Sequence, residues 1–242
     1  MSAGSVVSEP YARPRLDRPG VGVVKVSTWR VGTPERQRAV AEAIGRAWRS
    51  RPWPAPGPLS YTVLVGEDGE SLLHYGQWAS EEDYQGFVRR GRDERVAEVD
   101  AAVPGIERTE PTSYEVYRSV GMGGEGTAPG CVVAVEVEFD GPDGERVRRW
   151  VDGVLDALAA DADSGAGPHP GGISATFHTS LDGTRMLNYA EWESARHHAD
   201  ALDGPRGVGN DSPQWQRVRT FPGMADSHFR RFSPALSLRA GE

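Results

Sequence analysis

The chain of 242 residues is 38% hydrophobic and 26% charged, carries seven tryptophans and has a formal net charge of −8. That is apolar surface enough for two cores of ordinary size, and the acidic balance argues against a nucleic-acid or anionic-membrane partner. A single cysteine, Cys131, excludes an internal disulfide, and no apolar run approaches the roughly 20 residues of a membrane span.

Residues 1–20 are rich in Pro, Arg and Ser, show no periodicity and lack the apolar core of a signal peptide. They read as a flexible, solvated arm on a cytoplasmic protein. Val21–Trp29 alternates as a strand. Thr33-Pro34-Glu35 then starts a helix, with Thr as cap and Pro at the first helical position, and Val40, Ile44, Ala47 and Trp48 follow at helical spacing. Four prolines between 52 and 58 end it. Leu59–Val65 and Ser71–Trp78 are strands joined by a turn at Asp68-Gly69. Ser80 caps a helix running to about Ala101 with a break near Gly91, and the acids Glu81-Glu82-Asp83 suit its solvated start. Pro104-Gly105 precedes a last strand, Thr112–Arg118.

The stretch SVGMGGEGTAPG reads as a flexible linker. Its Gly121-x-Gly123-x-x-Gly126 matches a dinucleotide fingerprint in letters only, because it runs into Thr-Ala-Pro-Gly and a strand instead of opening a helix. Val132–Phe139 is the next strand, with Cys131 as a small buried residue before it, and Glu145–Ala160 is a helix. Ile173–Ser180 and Arg185–Trp192 form a hairpin turning at Asp182-Gly183. Ser194 opens a helical region, Pro222-Gly223 breaks it, and His228–Phe232 closes the fold.

Two segments repeat without a gap. Leu59–Trp78 and Ile173–Trp192 share Ser60/Ser174, Thr62/Thr176, Asp68/Asp182, Gly69/Gly183, Leu73/Leu187, Tyr75/Tyr189 and Trp78/Trp192. A constant offset through strand, turn and strand implies a duplicated unit. Each half reads β-α-β-β-α-β, the ferredoxin-like order, so the expected class is α+β. The boundaries are an arm over 1–20, a unit over 21–119, a Gly-rich linker over 120–130 and a second unit over 131–236.

Alternation along the return strand puts Leu72, His74, Gly76 and Trp78 on one face, and Met186, Asn188, Ala190 and Trp192 on its counterpart. A small residue between an imidazole or amide and an indole leaves a recess, which is what a small-molecule site needs. Core packing of the two tryptophans is the plainer alternative.

The segments HYGQWAS and NYAEWES, each closing a hairpin and opening a helix, resemble the antibiotic biosynthesis monooxygenase family. The resemblance implies a dimeric α+β barrel, here a covalent pseudodimer that is monomeric or a homodimer. Members acting on anthrones and dihydroquinones in aromatic polyketide pathways use an Asn, a Trp four residues later and a Tyr six beyond that. Asn188 and Trp192 match in the second half, with His198 in the Tyr position. Trp78 and Tyr84 match in the first, with His74 in the Asn position. The family's Arg falls to Arg92, Arg95, Arg206 or Arg217.

These matches imply an oxygenase that uses O2 on an aromatic polyketide, by oxidation or oxidative ring cleavage, without metal or tightly bound cofactor. Reduced flavin is the dissociable cosubstrate of the ring-cleaving branch. Asn188, Trp192 and His198 are the expected catalytic residues. Trp78, His74, Tyr84, Met186 and Phe177 are the expected substrate contacts, and the second pocket is favoured because it has the Asn–Trp pair. His198, and His74 in the first half, are expected to move protons near neutral pH.

Two other classes compete. A non-catalytic ligand-binding or accessory member would explain why neither half has the full set. A haem protein would use one of His169, His178, His197, His198 and His228, although the ligand position of small haem degraders holds Val88 and Leu202 here. Zinc is rejected, because adjacent His197 and His198 point apart on a helix.

Overall fold

The computed structural model describes residues 5–124, 126–163, 169–203 and 207–241. The chain is a mixed α+β protein in two compact units. One contains the residues through Tyr114 together with those from Phe232 onward, and the other is Glu115–Arg231.

In chain order the first unit holds β1 (Val6–Ser8), β2 (Val23–Arg30), α1 (Pro34–Arg49), β3 (Ser60–Gly66), β4 (Ser71–Trp78), α2 (Glu81–Phe87), a π-helical turn (Val88–Arg92), α3 (Asp93–Ala102), β5 (Glu107–Arg108) and the start of β6 (Thr112–Gly121). The second holds the rest of β6, β7 (Cys131–Phe139), α4 (Gly144–Asp161), β8 (Gly172–Ser180), β9 (Arg185–Trp192), α5 (Ala195–Leu202), α6 (Pro213–Arg219) and the start of β10 (Met224–Ala240). The sheet order in the first unit is β1-β10-β3-β4-β2-β6, with β5 beside β2. In the second it is β6-β8-β9-β7, with β10 beside β7. Each unit thus has the β-α-β-β-α-β element order.

The local causes are those the sequence carries. Thr33 accepts the Arg36 N–H, Ser80 the Asp83 N–H and Ser194 the His197 N–H, so each cap side chain satisfies a free helix donor. Gly69 and Gly183 take the left-handed φ values +74° and +70° that the hairpin turns need. Asp68 closes its turn by accepting the N–H groups of Glu70 and Ser71 at 2.8 and 2.9 Å. The apolar stripe Val40–Ala43–Ile44–Ala47–Trp48 of α1 packs on Val23, Val63 and Leu72 of the sheet. A side chain the size of Ile44 contributes about 1.5–3 kcal/mol by such burial.

Four expectations need correction. The arm is not free: Val6–Ser8 pairs with Leu238–Ala240, and the Glu9 N–H donates to Ser237 O at 2.8 Å. Its Arg-rich part is also engaged, since Arg15 O accepts from Gln77 Nε2 at 2.9 Å and Arg18 Nε donates to Gln77 Oε1 at 3.1 Å. Backbone pairing to an open sheet edge requires no hydrophobic period, so composition conceals it. The linker is tied as well: β6 runs to Gly121, Met122 N–H donates to Ile173 O at 2.9 Å and Gly130 N–H to Trp192 O at 3.0 Å. The closing strand is 17 residues long rather than five. Finally, residues from Phe232 onward belong with the first unit.

No described helix is long and apolar enough to cross a membrane.

Candidate active site

The first unit contains a cavity of about 140 Å³ between α1, the α2–α3 helices and the sheet. Its wall is a run of aromatic rings. Phe87 stacks on Trp48 with centroids 5.7 Å apart, and Trp48 on Tyr61 at 4.8 Å. Tyr61 lies 5.8 Å from His74, and His74 4.0 Å from Trp29. Trp78 closes the side, 5.4 Å from Phe87 and edge-on to Tyr84 at 5.2 Å. The rim at Thr109 and Glu110 is exposed.

Strand pairing explains the convergence. His74 on β4 lies opposite Val63 of β3, and Gly76 opposite Tyr61. On the other side Leu72 lies opposite Trp29 of β2. All these side chains therefore share the face turned to the helices. Gly76 has a specific task, since a Cβ there would approach Trp78 Nε1 to 2.9 Å. Its absence lets the indole lie back over the strand.

The cavity concentrates buried polar atoms that lack a partner among the described residues: His74 Nε2, Trp78 Nε1, Arg95 Nε and Arg108 Nε. Such atoms are ordinarily paired. Tyr61 OH lies 2.7 Å from His74 Nδ1. A buried hydroxyl needs an acceptor, and Nδ1 is the only partner described for it, so we assign the hydroxyl as donor. The imidazole proton then sits on Nε2, and His74 Nε2–H and Trp78 Nε1–H are both donors without acceptors. Burial, aided by the Arg108 charge, lowers the His74 pKa to about 3, so the ring is neutral. Burial raises the Tyr61 hydroxyl, which stays protonated.

Cations surround the rings. Arg108 lies 4.3 Å over Trp29, and Arg95 4.9 Å over Trp48 and 5.9 Å over Phe87. Arg108 is balanced by Asp100 at 2.6 Å. Lys25, 4.1 Å over Tyr84, pairs with Glu81 at 2.7 Å and donates to Ser113 Oγ at 2.6 Å.

His74, Trp78 and Tyr84 line this cavity together, and Arg92 and Arg95 join them. The second unit is arranged differently. Trp192 and His198 meet edge-on at 5.2 Å, and Asn188 Oδ1 and Trp192 Nε1 also lack partners among the described residues. Yet none of the three lines the described cavities. Met186 and Phe177 are fully buried members of the packed core and not an exposed wall. Register gives the reason. Phe177 lies opposite Asn188 where Val63 lies opposite His74, and Trp150 takes the position after the α4 cap that Val40 takes after the α1 cap. Larger side chains fill the second recess. The ring wall of the first is missing there, because Ala175 replaces Tyr61 and Val137 replaces Trp29.

His198 is also not poised near neutrality. Its Nδ1 accepts from Arg231 Nε at 3.0 Å, and burial together with that charge lowers its pKa to about 4. Neither His74 nor His198 fits the proton-moving role expected near neutral pH. The other histidines do not gather: His178 Nδ1 lies 3.2 Å from Leu187 O, and His228 pairs with Asp226 at 3.0 Å. No described group of three or more His, Cys, Asp or Glu residues could hold a metal. His74 is the only histidine among the described lining residues of the first cavity, and none lines the second-unit depression. Arg217 borders a surface depression of about 350 Å³ in the second unit, and Arg206 lies outside the described residues.

The residues missed by sequence reading are Trp29, Tyr61, Trp48 and Arg108. Cross-strand pairing, extended outward from the Asp68-Gly69 turn, would have found Tyr61.

No family model and no curated protein sequence matches the chain. The likeness to solved structures is one of fold. An anthrone oxidase-like protein superposes with a TM-score of 0.65 at 17% identity, over 98% of this chain and 97% of that one. A putative monooxygenase of Fusobacterium nucleatum gives 0.56 at 8% identity, over 93% and 98%. A mutant chlorite dismutase from Candidatus Nitrospira defluvii gives 0.53 at 11%, over 91% and 94%. The chain therefore shares its fold with these proteins.

Proposed function

We propose that the first-unit cavity binds an electron-rich hydroxyaromatic of the anthrone or hydroquinone type found among aromatic polyketides, and that the protein couples its oxidation to reduction of O2. One observation carries this reading: two buried donors, His74 Nε2–H and Trp78 Nε1–H, have no partner among the described residues in the wall of a ring-sized aromatic cavity. A volume near 140 Å³ suits one aromatic ring, so a polycyclic substrate places its reacting ring inside and the remainder at the Thr109–Glu110 rim. The fold shared with an anthrone oxidase-like protein supports the oxidoreductase class.

The chemistry follows from the electrostatics. The cations Arg92, Arg95 and Arg108 favour the ionised phenol or enol over the neutral form. Glu110, the one carboxylate among the described lining residues, passes the released proton to solvent. The anion gives one electron to O2. The radical pair, confined by the rings, combines to a peroxide whose charge is held by the His74 and Trp78 donors. For an anthrone, C–O bond formation, O–O cleavage and loss of water convert the CH2 to a carbonyl. This four-electron oxidation balances full reduction of O2, so no external reductant is consumed.

Oxygen uptake by the purified protein tests this, with an anthrone or a polycyclic hydroquinone, with and without reduced flavin, after an absorption spectrum has been recorded. Uptake with substrate alone is the expected result. Uptake that requires reduced flavin would move the protein to ring cleavage. Binding without uptake for every substrate would overturn the oxygenase in favour of an accessory binding role.

A further inference from the structure

The rings Phe87, Trp48, Tyr61, His74 and Trp29 form one continuous run with a guanidinium at each end, Arg95 over Phe87 and Trp48, and Arg108 over Trp29. The two ends differ in charge balance. Arg108 has Asp100 at 2.6 Å. Arg95 has no carboxylate partner among the described residues, although only 7% of it is exposed. Its terminal nitrogens donate to backbone carbonyls, Gly91 O at 2.8 Å and Pro52 O at 3.1 Å. Glu94 and Glu98 of the same helix pair instead with Arg51, at 3.5 and 2.5 Å. What remains is a fixed, buried cation with no carboxylate in direct contact, which lines the cavity and whose Nε–H has no acceptor among the described residues. An isolated buried charge is unfavourable unless paired and hydrogen-bonded.

We propose that Arg95 is a carboxylate anchor and that the cavity's ligand is an aromatic acid, its ring held between Trp48 and the His74–Trp78 wall. A carboxylate supplies an acceptor for Arg95 Nε–H and a negative charge in direct contact with its guanidinium. The inference rests on reading this cavity as the substrate site, but it does not depend on oxygen chemistry.

Calorimetric titration of the full chain with 1-hydroxy-2-naphthoate and with its neutral isostere 1-hydroxy-2-naphthamide tests it. The wild type is expected to bind the acid about 10- to 100-fold more tightly, as befits one charge-assisted hydrogen bond. Arg95→Met keeps an unbranched apolar stem in place of the charged one, and should reduce that preference to within about threefold. Equal binding of acid and amide by the wild type overturns the anchor and leaves the aromatic cavity standing, as does a preference that survives Arg95→Met. Failure of the wild type to bind either compound overturns the cavity reading and the anchor with it. If Arg95→Met binds neither, Arg95→Lys decides: acid preference kept at about tenfold supports the anchor, and its loss overturns it.

Discussion

Gly76 has no side chain to hold Trp78 off the sheet, and much of the site follows from that. Gly76→Ala would bring a methyl within 2.9 Å of Trp78 Nε1 and push the indole into the cavity. Overpacking of this kind costs about 1–3 kcal/mol, so ring ligands should bind about tenfold or more weakly in calorimetry, with the fold intact by circular dichroism. Trp78→Phe keeps the ring and deletes the donor. Turnover should fall about 10²-fold, the usual effect of removing one oxyanion donor, whereas Trp192→Phe should change it less than about threefold. A larger loss at Trp192 than at Trp78 would return the chemistry to the second unit. Tyr61→Phe leaves His74 Nδ1 without its donor. A loss of about 1–3 kcal/mol in urea unfolding is expected, together with mixed imidazole tautomers in nitrogen NMR.

At the scale of elements, caps, hairpins and the break near Gly91 were legible because each depends on a few neighbouring residues. The break is the π-helical turn Val88–Arg92. Which recess stays open was not legible in the same way. It depends on the sizes of side chains on three other elements, where the repeat diverges: Tyr61 against Ala175, Val63 against Phe177, Trp29 against Val137, Val40 against Trp150. The Asn188–Trp192 pair resembles a family motif more closely than His74–Trp78, yet its surroundings are packed. The pairing of the arm was not legible for the opposite reason, since β1 is held by backbone groups that any sequence supplies. Truncation separates its two attachments. Removing residues 1–12 takes away β1, the turn after it and the contacts of Glu9 with Ser237 O, Arg18 and Arg239. Removing 1–20 also strips Gln77 Nε2 of Arg15 O, its hydrogen-bond partner at 2.9 Å. The longer deletion should cost about 1–3 kcal/mol more than the shorter one in urea melts; equal stability of the two would mean the Arg-rich part of the arm contributes nothing.

For the molecule as a whole, three buried histidines set the response to acid. Burial lowers His74 to about 3 and His178 and His198 to about 4. An unfolded chain takes up those protons near pH 6.5, but the folded chain refuses them until well below pH 5. Between those limits the unfolded state binds more protons, so stability is full above about pH 6.5 and falls as the pH drops towards 4. Each histidine contributes at most about 1.4 kcal/mol per pH unit. Urea midpoints should therefore decline steeply from pH 7.5 to 4.5, and His178→Gln should flatten the decline by about one proton. A flat profile would mean that these rings are charged in the folded protein.

The π-helical turn makes helical phase a determinant of what this protein can hold. Each residue of an α-helix advances the chain by about 100°, so deleting one residue between Val88 and Arg92 would rotate α3 by more than a quarter-turn. Arg95 would leave the rings although no side chain in the cavity had been substituted. A change of length at that turn would therefore alter the charge of the cavity without any substitution in its lining.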